Sequence, residues 1–453
     1  MNLLDEFRSC SRSTARLPYV AWTGVLLAAA YLALRIVMIA VGGHMHLFPD
    51  GWQFLDPLGL ILSDGRVFRD ALIVHLLLTI GLVVISVHRA RDAGWQPWTG
   101  VLMILPVVRL FVFTALAVAP TAKHTHVLNL PRDTRLGRII PTSRTGSAVA
   151  AILISLVIVI PLGFFDVRVL EDYGLVLFIG LPFLLGAVSA YLYNYHEARS
   201  MKQSIGVAMI SVSITLVMVF IFAMEGIMCL AMAAPIVYGI AFVGALIGHA
   251  LSRNANHNAP AMTMMVLLAP CMMAFENAND HQPPLFNVIT SVIVHAPAQR
   301  VWHSLITFSH MKDPEEFIFR AGISYPIEAR ITGTGVGACR YCEFNTGPFV
   351  EPITAWDEPH LLAFDVKADP PPMTELTIYE HINAPHVKGF FRSHHGQFRL
   401  VALSDGTTLL EGTTWYTHDI WPTWYWKWWS DGILHTIHER VLEHIKEVSE
   451  HEG

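Results

Sequence analysis

The chain is poor in charge. Only 15% of its 453 residues are Asp, Glu, Lys or Arg, against about 25% in an ordinary soluble domain. No basic block stands out and the formal net charge is −6, which excludes a nucleic-acid binder held by phosphate contacts. Five cysteines, Cys10, Cys229, Cys271, Cys339 and Cys342, are too few and too scattered for a disulfide framework. Cys339 and Cys342 are spaced C-x-x-C inside a β-rich run, where odd spacing sends the two side chains to opposite faces. That argues against a redox or zinc pair there. No Walker A loop, dinucleotide fingerprint, nucleophile elbow or His-Glu-x-x-His motif is present, so those nucleotide, hydrolase and metalloprotease readings fall away. Gly333-x-Gly335-x-Gly337 precedes no helix and reads as a turn. No cofactor and no metal ion is expected.

What the chain has is long apolar runs, and they are concentrated. Residues 71–88, 147–165, 173–196, 203–224 and 226–252 contain no charged side chain. A run of about 20 such residues reads as a transmembrane helix. Spans are expected near 20–41, 71–87, 100–119, 147–163, 174–193, 206–224 and 227–250, with a short eighth near 261–275. No cleavable signal peptide is expected, because Met1–Arg16 is polar and the first apolar run is long enough to span.

After residue 286 the character changes. There 12 basic residues meet 21 acidic ones, a net of −9, whereas the first 286 carry 18 against 15, a net of +3. The expected organisation is a membrane region over 1–120, a basic loop over 121–146, a second helical membrane region over 147–276, a linker over 277–287 and a soluble domain over 288–449.

Basic residues argue the topology. Eight simple spans leave six of them inside and ten outside. If 95–119 instead dips and returns, bent near Pro106 and Arg109, the count becomes 13 inside and three outside. Residues 261–275 fall below the usual 17-residue minimum for crossing. On that ground the soluble domain is expected in the cytoplasm, below a bacterial inner membrane. Of two arginines inside apolar runs, Arg35 can snorkel to the span's end and Arg109 falls at the tip of the expected hairpin.

Ser11-Arg12-Ser13-Thr14-Ala15-Arg16 and His88-Arg89-Ala90-Arg91-Asp92-Ala93-Gly94-Trp95, each before an apolar stretch, resemble a bacterial inner-membrane family of unknown function over about 110 residues. Gln96-Pro97-Trp98 departs from that family's small residues and tryptophans. The resemblance implies an integral membrane protein and no known activity. Physically, the arginines are expected to hold the membrane boundary, with Trp95 and Trp98 at the interface.

The soluble part reads as an α+β domain. Val288–Val294 is β-rich, and Ala298–Phe308 has Val301, Trp302, Leu305 and Phe308 at helical spacing behind Pro297. Strands are expected over 327–334, 338–344, 350–356, 361–366, 389–403 and 407–417, with Ser404-Asp405-Gly406 as a hairpin turn. A last helix is expected from Trp421 to Val448. The segments Val292–Trp302, Gly333–Gly337, Glu351–Pro359 and Leu409–Tyr416 resemble the START and polyketide-cyclase (SRPBCC) superfamily. That resemblance implies a helix-grip fold, an antiparallel sheet wrapped on a long C-terminal helix. It also implies binding of lipids, polyketides or other hydrophobic small molecules, with cyclases and hydrolases among its members.

The expected fold class is therefore a multi-pass α-helical membrane domain plus a helix-grip soluble domain, with the lipid bilayer and a hydrophobic small molecule as partners. Ile433, Leu434, Ile437, Val441, Ile445 and Val448 make the last helix's apolar face. Asp431, His435 and His438, at i, i+4 and i+7, share one side beside Trp424. An Asp–His pair there would orient a general base, and the three together match metal-ligand spacing; hydrogen-bonded boundary residues are the plainer reading. Arg392, with His394 on its face of a strand and His395 on the other, would suit an acidic headgroup if it faced the cavity. Glu343 sits between Tyr341 and Phe344. Trp424 and Trp428 belong to a Trp421–Trp429 cluster that fits a membrane interface, a cavity mouth or a core. The function expected is binding of a hydrophobic ligand; the alternatives are a cyclase, hydrolase or dehydratase using the same cavity, and a transporter or receptor with a ligand-sensing domain.

Overall fold

A computed structural model describes residues 16–40, 65–93, 95, 97–104, 108–119, 121, 135–253, 255–278, 283–306, 310–379, 386 and 389–451. The Cys10, Pro106 and Phe308 expectations and most of the expected basic loop lie outside them, as does the side chain of Arg35. Two compact units emerge: Met1–Val219 with Ala233–Gln282, and Phe220–Met232 with Pro283–Gly453.

The first unit is helical: α1 (Arg16–Ala40), α2 (Gly65–Asp92), α3 (Val108–Val118), α4 (Arg144–Phe165), α5 (Leu181–Tyr193), α6 (Met201–Ile221), most of α7 (Ile227–Ser252) and α8 (Ala255–Ala278). Among the described residues, five helical stretches are long and apolar enough to cross a membrane: 144–170, 176–193, 201–221, 227–252 and 259–278. The expected span at 100–119 is instead a 3-10 turn, Pro97–Ile104, followed by the eleven-residue α3. Neither piece reaches the roughly 20 residues a crossing requires. The short eighth span needs correction: α8 has 24 residues and a 20-residue apolar stretch. It runs on through polar Asn256, His257 and Asn258, and at its far end the Glu276 carboxylate accepts from the Leu175 and Val176 amides, filling donors that a helix start leaves open.

The basic residues near α3 cap it. Arg89 is buried and donates to the carbonyls of Leu116 and Ala119, while Arg16 donates to Ala119 at 2.9 Å. Cations on the last carbonyls of a helix satisfy acceptors that have no internal partner. Trp95 and Arg109 are buried within the unit. Between α5 and α7 the backbones nearly touch. A Cβ on Gly244 would lie 2.1 Å from the Phe183 carbonyl oxygen, and one on Gly248 2.0 Å from that of Ala187. This is small-residue packing, the way membrane helices gain contact. A chain of hydroxyls, Ser155–Ser189 at 2.8 Å and Ser189–Ser211 at 2.9 Å, ties α4, α5 and α6.

The second unit holds one seven-stranded sheet in the order β1-β7-β6-β5-β4-β3-β2, every neighbour antiparallel. The strands are β1 (Phe286–Val294), β2 (Pro326–Thr332), β3 (Cys339–Phe344), β4 (Gly347–Asp357), β5 (Leu361–Asp365), β6 (Phe391–Ala402) and β7 (Thr408–His418); α9 (Ala298–Ile306) and α10 (Thr423–His451) complete it. The 2.0-residue period puts alternate side chains on one face, and that face carries the core. Leu362, Phe364, Phe398, Leu400 and Leu410 pack with Val301, Trp302 and Leu305 of α9 and Val441, Leu442 and Ile445 of α10. The unit is a helix-grip fold. The Ser404-Asp405-Gly406 turn joins β6 to β7, with Gly406 at φ +84° and Asp405 accepting from the Thr407 amide. The glycines at 333, 335 and 337 all have positive φ between β2 and β3, the turn their spacing predicted.

Candidate functional site

Where α10 crosses β1 and β7, the inner face turns polar. Phe286, Val288 and Thr290 alternate inward on β1, opposite Tyr416, Thr414 and Gly412 of β7. The Thr290 hydroxyl stands 2.8 Å from His435 Nδ1 and 3.1 Å from His438 Nδ1, and Thr414 Oγ1 is 2.7 Å from His438 Nε2. Both nitrogens of His438 thus meet hydroxyls, so one neutral tautomer donates from one and accepts at the other. Burial pushes the His438 imidazole down to about 4, with His435 adding to the shift, because a charged ring loses hydration there. It stays neutral near pH 7.

Asp431 does not orient either histidine. It accepts from Tyr416 Oη at 2.6 Å and pairs with Lys427 one turn away. Helical spacing put the three residues on one side, but the strands beneath hold Asp431 on Tyr416 of β7 and the two histidines on Thr290 of β1, with Thr414 of β7 also on His438. The Asp–His base and the three-residue metal set are therefore not assembled. Burial, then the Asp431 carboxylate, pushes the Tyr416 phenol up. The ring of Tyr416 stacks on Phe391 at 5.3 Å, and Phe286 stacks on His418 at 5.4 Å. This aromatic group closes the end of the stripe, and burial lowers His418 to about 4.

Arg392 belongs elsewhere. Phe391 and Ser393 face inward beside Tyr416, so Arg392 points out and is exposed. A bulge between Ser393 and His395 then breaks the alternation. His394 bonds Thr417 at 2.9 Å and His395 bonds Asp365 at 2.8 Å. Glu343 also turns from the core, toward Arg330 at 3.3 Å.

The inward arginine is Arg340. It lies on the same face of β3 as Ala338 and Cys342, opposite Glu351 in the register, and the two side chains form an ion pair with exposures of only 3% and 8%. The guanidinium also faces the rings of Phe364 and Phe398 at 5.3 and 5.5 Å, a cation–π arrangement. Burial opposes the Arg340 charge, and the Glu351 carboxylate more than restores it. Burial pushes the adjacent Cys342 thiol up to about 12, so it is inert. An arginine flanked by Cys339 and Tyr341 in a strand was the available signal.

The tryptophan cluster splits by helix phase. Tyr425 and Trp426 are buried, Trp424 and Trp429 are half-buried, and Trp428 is 67% exposed with its ring 5.0 Å from Trp429.

A second group of titratable side chains lies in the same unit. Cys229 Sγ is 3.1 Å from His386 Nε2 and 3.2 Å from Glu375 Oε1, and His386 Nδ1 is 3.4 Å from Glu225 Oε2. One ligand atom from each of the four lies within 4.8 Å of the others. Burial raises the Glu375 carboxyl. Burial also opposes charge on His386, but the Glu225 and Glu375 carboxylates raise it overall. Residues 146–157 apart in sequence meet here, which no motif search would join.

Several solved structures are similar to part of this chain. An aromatase/cyclase from Streptomyces sp. R1128 is 14% identical, covering 37% of this chain and 94% of its own, at a TM-score of 0.25. A truncated norcoclaurine synthase from Thalictrum flavum is 13% identical over 38% of this chain and 96% of its own, at 0.24. A protein from Nitrosospira multiformis is 19% identical over 37% and 98%, at 0.23. No family profile and no curated protein matches the chain.

Proposed function

We propose that the helix-grip unit binds a hydrophobic small molecule, with a membrane lipid as the favoured class, along the inner face of α10. The carrying observation is the Thr290–His435–His438–Thr414 stripe, with His438 held neutral, set in an otherwise apolar face between α10, β1 and β7. A few fixed polar groups in apolar surroundings orient a ligand without charging the site. The exposure of His435 and Trp428 gives that stripe a side open to solvent. The cyclase or hydrolase reading is less favoured, because a general base works best with a pKa near the operating pH, and His438 sits at about 4 with no carboxylate on it. Native mass spectrometry of the full chain released from lipid nanodiscs tests this. A retained lipid, lost in His438→Leu with Thr414→Val, is expected. A wild-type chain that retains no lipid, or retention unchanged in the double variant, overturns it.

The helical unit, in this reading, holds the chain in a bacterial inner membrane. The proposed side departs from the cytoplasmic expectation. The connection between α6 and α7 belongs to the helix-grip unit: the Ile227 amide donates to the Leu376 carbonyl at 3.0 Å. If that connection and residues 283–453 share one side, α7 leaves it and α8 must return, as its 24 residues allow. The count of 13 basic residues inside and three outside then puts that side away from the cytoplasm. Alkaline phosphatase fused after Gly453 is expected to be active; an inactive fusion of normal abundance overturns this placement.

A further inference from the structure

We propose that Cys229, Glu375 and His386 bind one divalent transition-metal ion of the zinc class, with Glu225 as the carboxylate on the far side of the imidazole. The three donor atoms are Cys229 Sγ, Glu375 Oε1 and His386 Nε2. Their separations are 3.1, 3.2 and 3.8 Å. A tetrahedral zinc ion, with bonds of about 2.3 Å to sulfur and about 2.0–2.2 Å to nitrogen and oxygen, sets its donors roughly 3.4–3.6 Å apart. The observed triangle needs shifts of only a few tenths of an ångström to meet that geometry.

The surroundings favour the same reading. Glu225 Oε2 lies 3.4 Å from Nδ1, the nitrogen that Nε2 coordination leaves free. A carboxylate in that place fixes the ring's tautomer and orientation in metal sites. The exposures of Glu375, His386 and Glu225 are only 7%, 13% and 14%. Gly226 makes room for the cluster, because a Cβ there would overlap the Glu375 carboxylate. The Met373 thioether, 3.6 Å from Cys229 Sγ, adds a soft neighbour. Thiol, imidazole and carboxylate together select zinc-like ions over magnesium or calcium, which take oxygen donors. Binding displaces the Cys229 thiol proton to solvent as the sulfur–metal bond forms, so the ion replaces a proton and no redox partner is needed.

Such an ion would clip the Phe220–Met232 segment to Glu375 and His386 within the second unit. The group is distinct from the α10 histidines, and each can fail alone.

The test uses the full chain in detergent, stripped with chelator and titrated with Zn²⁺ or Co²⁺. One ion per chain is expected, with a sulfur-to-cobalt charge-transfer band in the Co²⁺ form. Cys229→Ser should remove that band. Glu225→Gln, a conservative change, should weaken affinity about 10–100-fold. Gly226→Ala should weaken binding by displacing Glu375, and His435→Ala with His438→Ala should leave it unchanged. Absence of the band in saturated wild-type protein overturns the site. So does a band that survives Cys229→Ser, or an ion lost with the α10 histidines.

Discussion

The inner face of the helix-grip sheet holds two polar stations, and they solve burial in opposite ways. At the β3–β4 end, Arg340 and Glu351 form an ion pair in a dry core, with the guanidinium facing two phenylalanine rings. At the β1–β7 end, Thr290, Thr414, His435 and His438 carry hydroxyls and imidazoles, with His438 held neutral. A buried ion pair is costly to disturb but adds little net stability over apolar residues of the same shape. A neutral network with a solvent-facing edge is cheap to open. The charged station ties β3 to β4 through Arg340 and Glu351, and the proposed ligand contact falls on the other.

Removing one partner from the charged station should have the largest effect. Glu351→Ala takes the counter-charge from Arg340 in the core and should cost about 3–5 kcal/mol, read as a lower melting temperature of the full chain by tryptophan fluorescence. Arg340→Met with Glu351→Leu should recover most of that loss. If the single change is harmless, the station does not tie β3 to β4.

Acid should act on the other station. His438 titrates at about 4 when folded and near 6.5 when unfolded, so below pH 6.5 the unfolded chain binds more protons. Its stability contribution is full above pH 6.5 and is lost as pH falls toward 4, by at most about 3 kcal/mol. His438→Leu should remove about half of that acid-side slope in the melting-temperature profile, His418 with the same lowered value supplying the rest, whereas Glu351→Ala should leave it. A third change, Thr290→Val, removes the hydroxyl between the two histidines and should cost about 1–2 kcal/mol, with a larger loss of retained lipid than of stability.

The charged station was hidden in the sequence for a physical reason. The strands were legible from alternation, the β6–β7 turn from Ser404-Asp405-Gly406, and α9 from Val301, Trp302 and Leu305, which are fully buried. An arginine at 340 looks like a solvent-facing residue until the register sets it opposite Glu351. Asp431 shows the same limit: helix spacing gives the side, but only β7 tells that Tyr416 reaches it first. For Arg392 alternation does not say which parity is inward; the register does, and Phe391 and Ser393 take the inner face. In the helical unit, polar ends concealed the length of α8, and a Gly244-x-x-x-Gly248 spacing that carries the α5–α7 contact passed unremarked.

Trp428 gives the smallest effect on stability and the sharpest separation of the two stations. Its ring is two-thirds exposed while Trp426, two residues earlier, is buried. Surface changes away from buried features usually fall within about 0.5 kcal/mol, so Trp428→Ala should leave the melting temperature nearly unmoved. An exposed tryptophan two helical turns before His435 on α10 has its use in contact with an apolar partner, since Trp favours surfaces that are apolar at one end and wet at the other. Lipid retention should therefore fall in Trp428→Ala while folding holds, the reverse of Glu351→Ala with its loss of fold. A Trp428→Ala chain that melts several degrees lower and keeps its lipid would make the ring a structural prop, and the open side of the neutral station would lose its claim to be a ligand's way in.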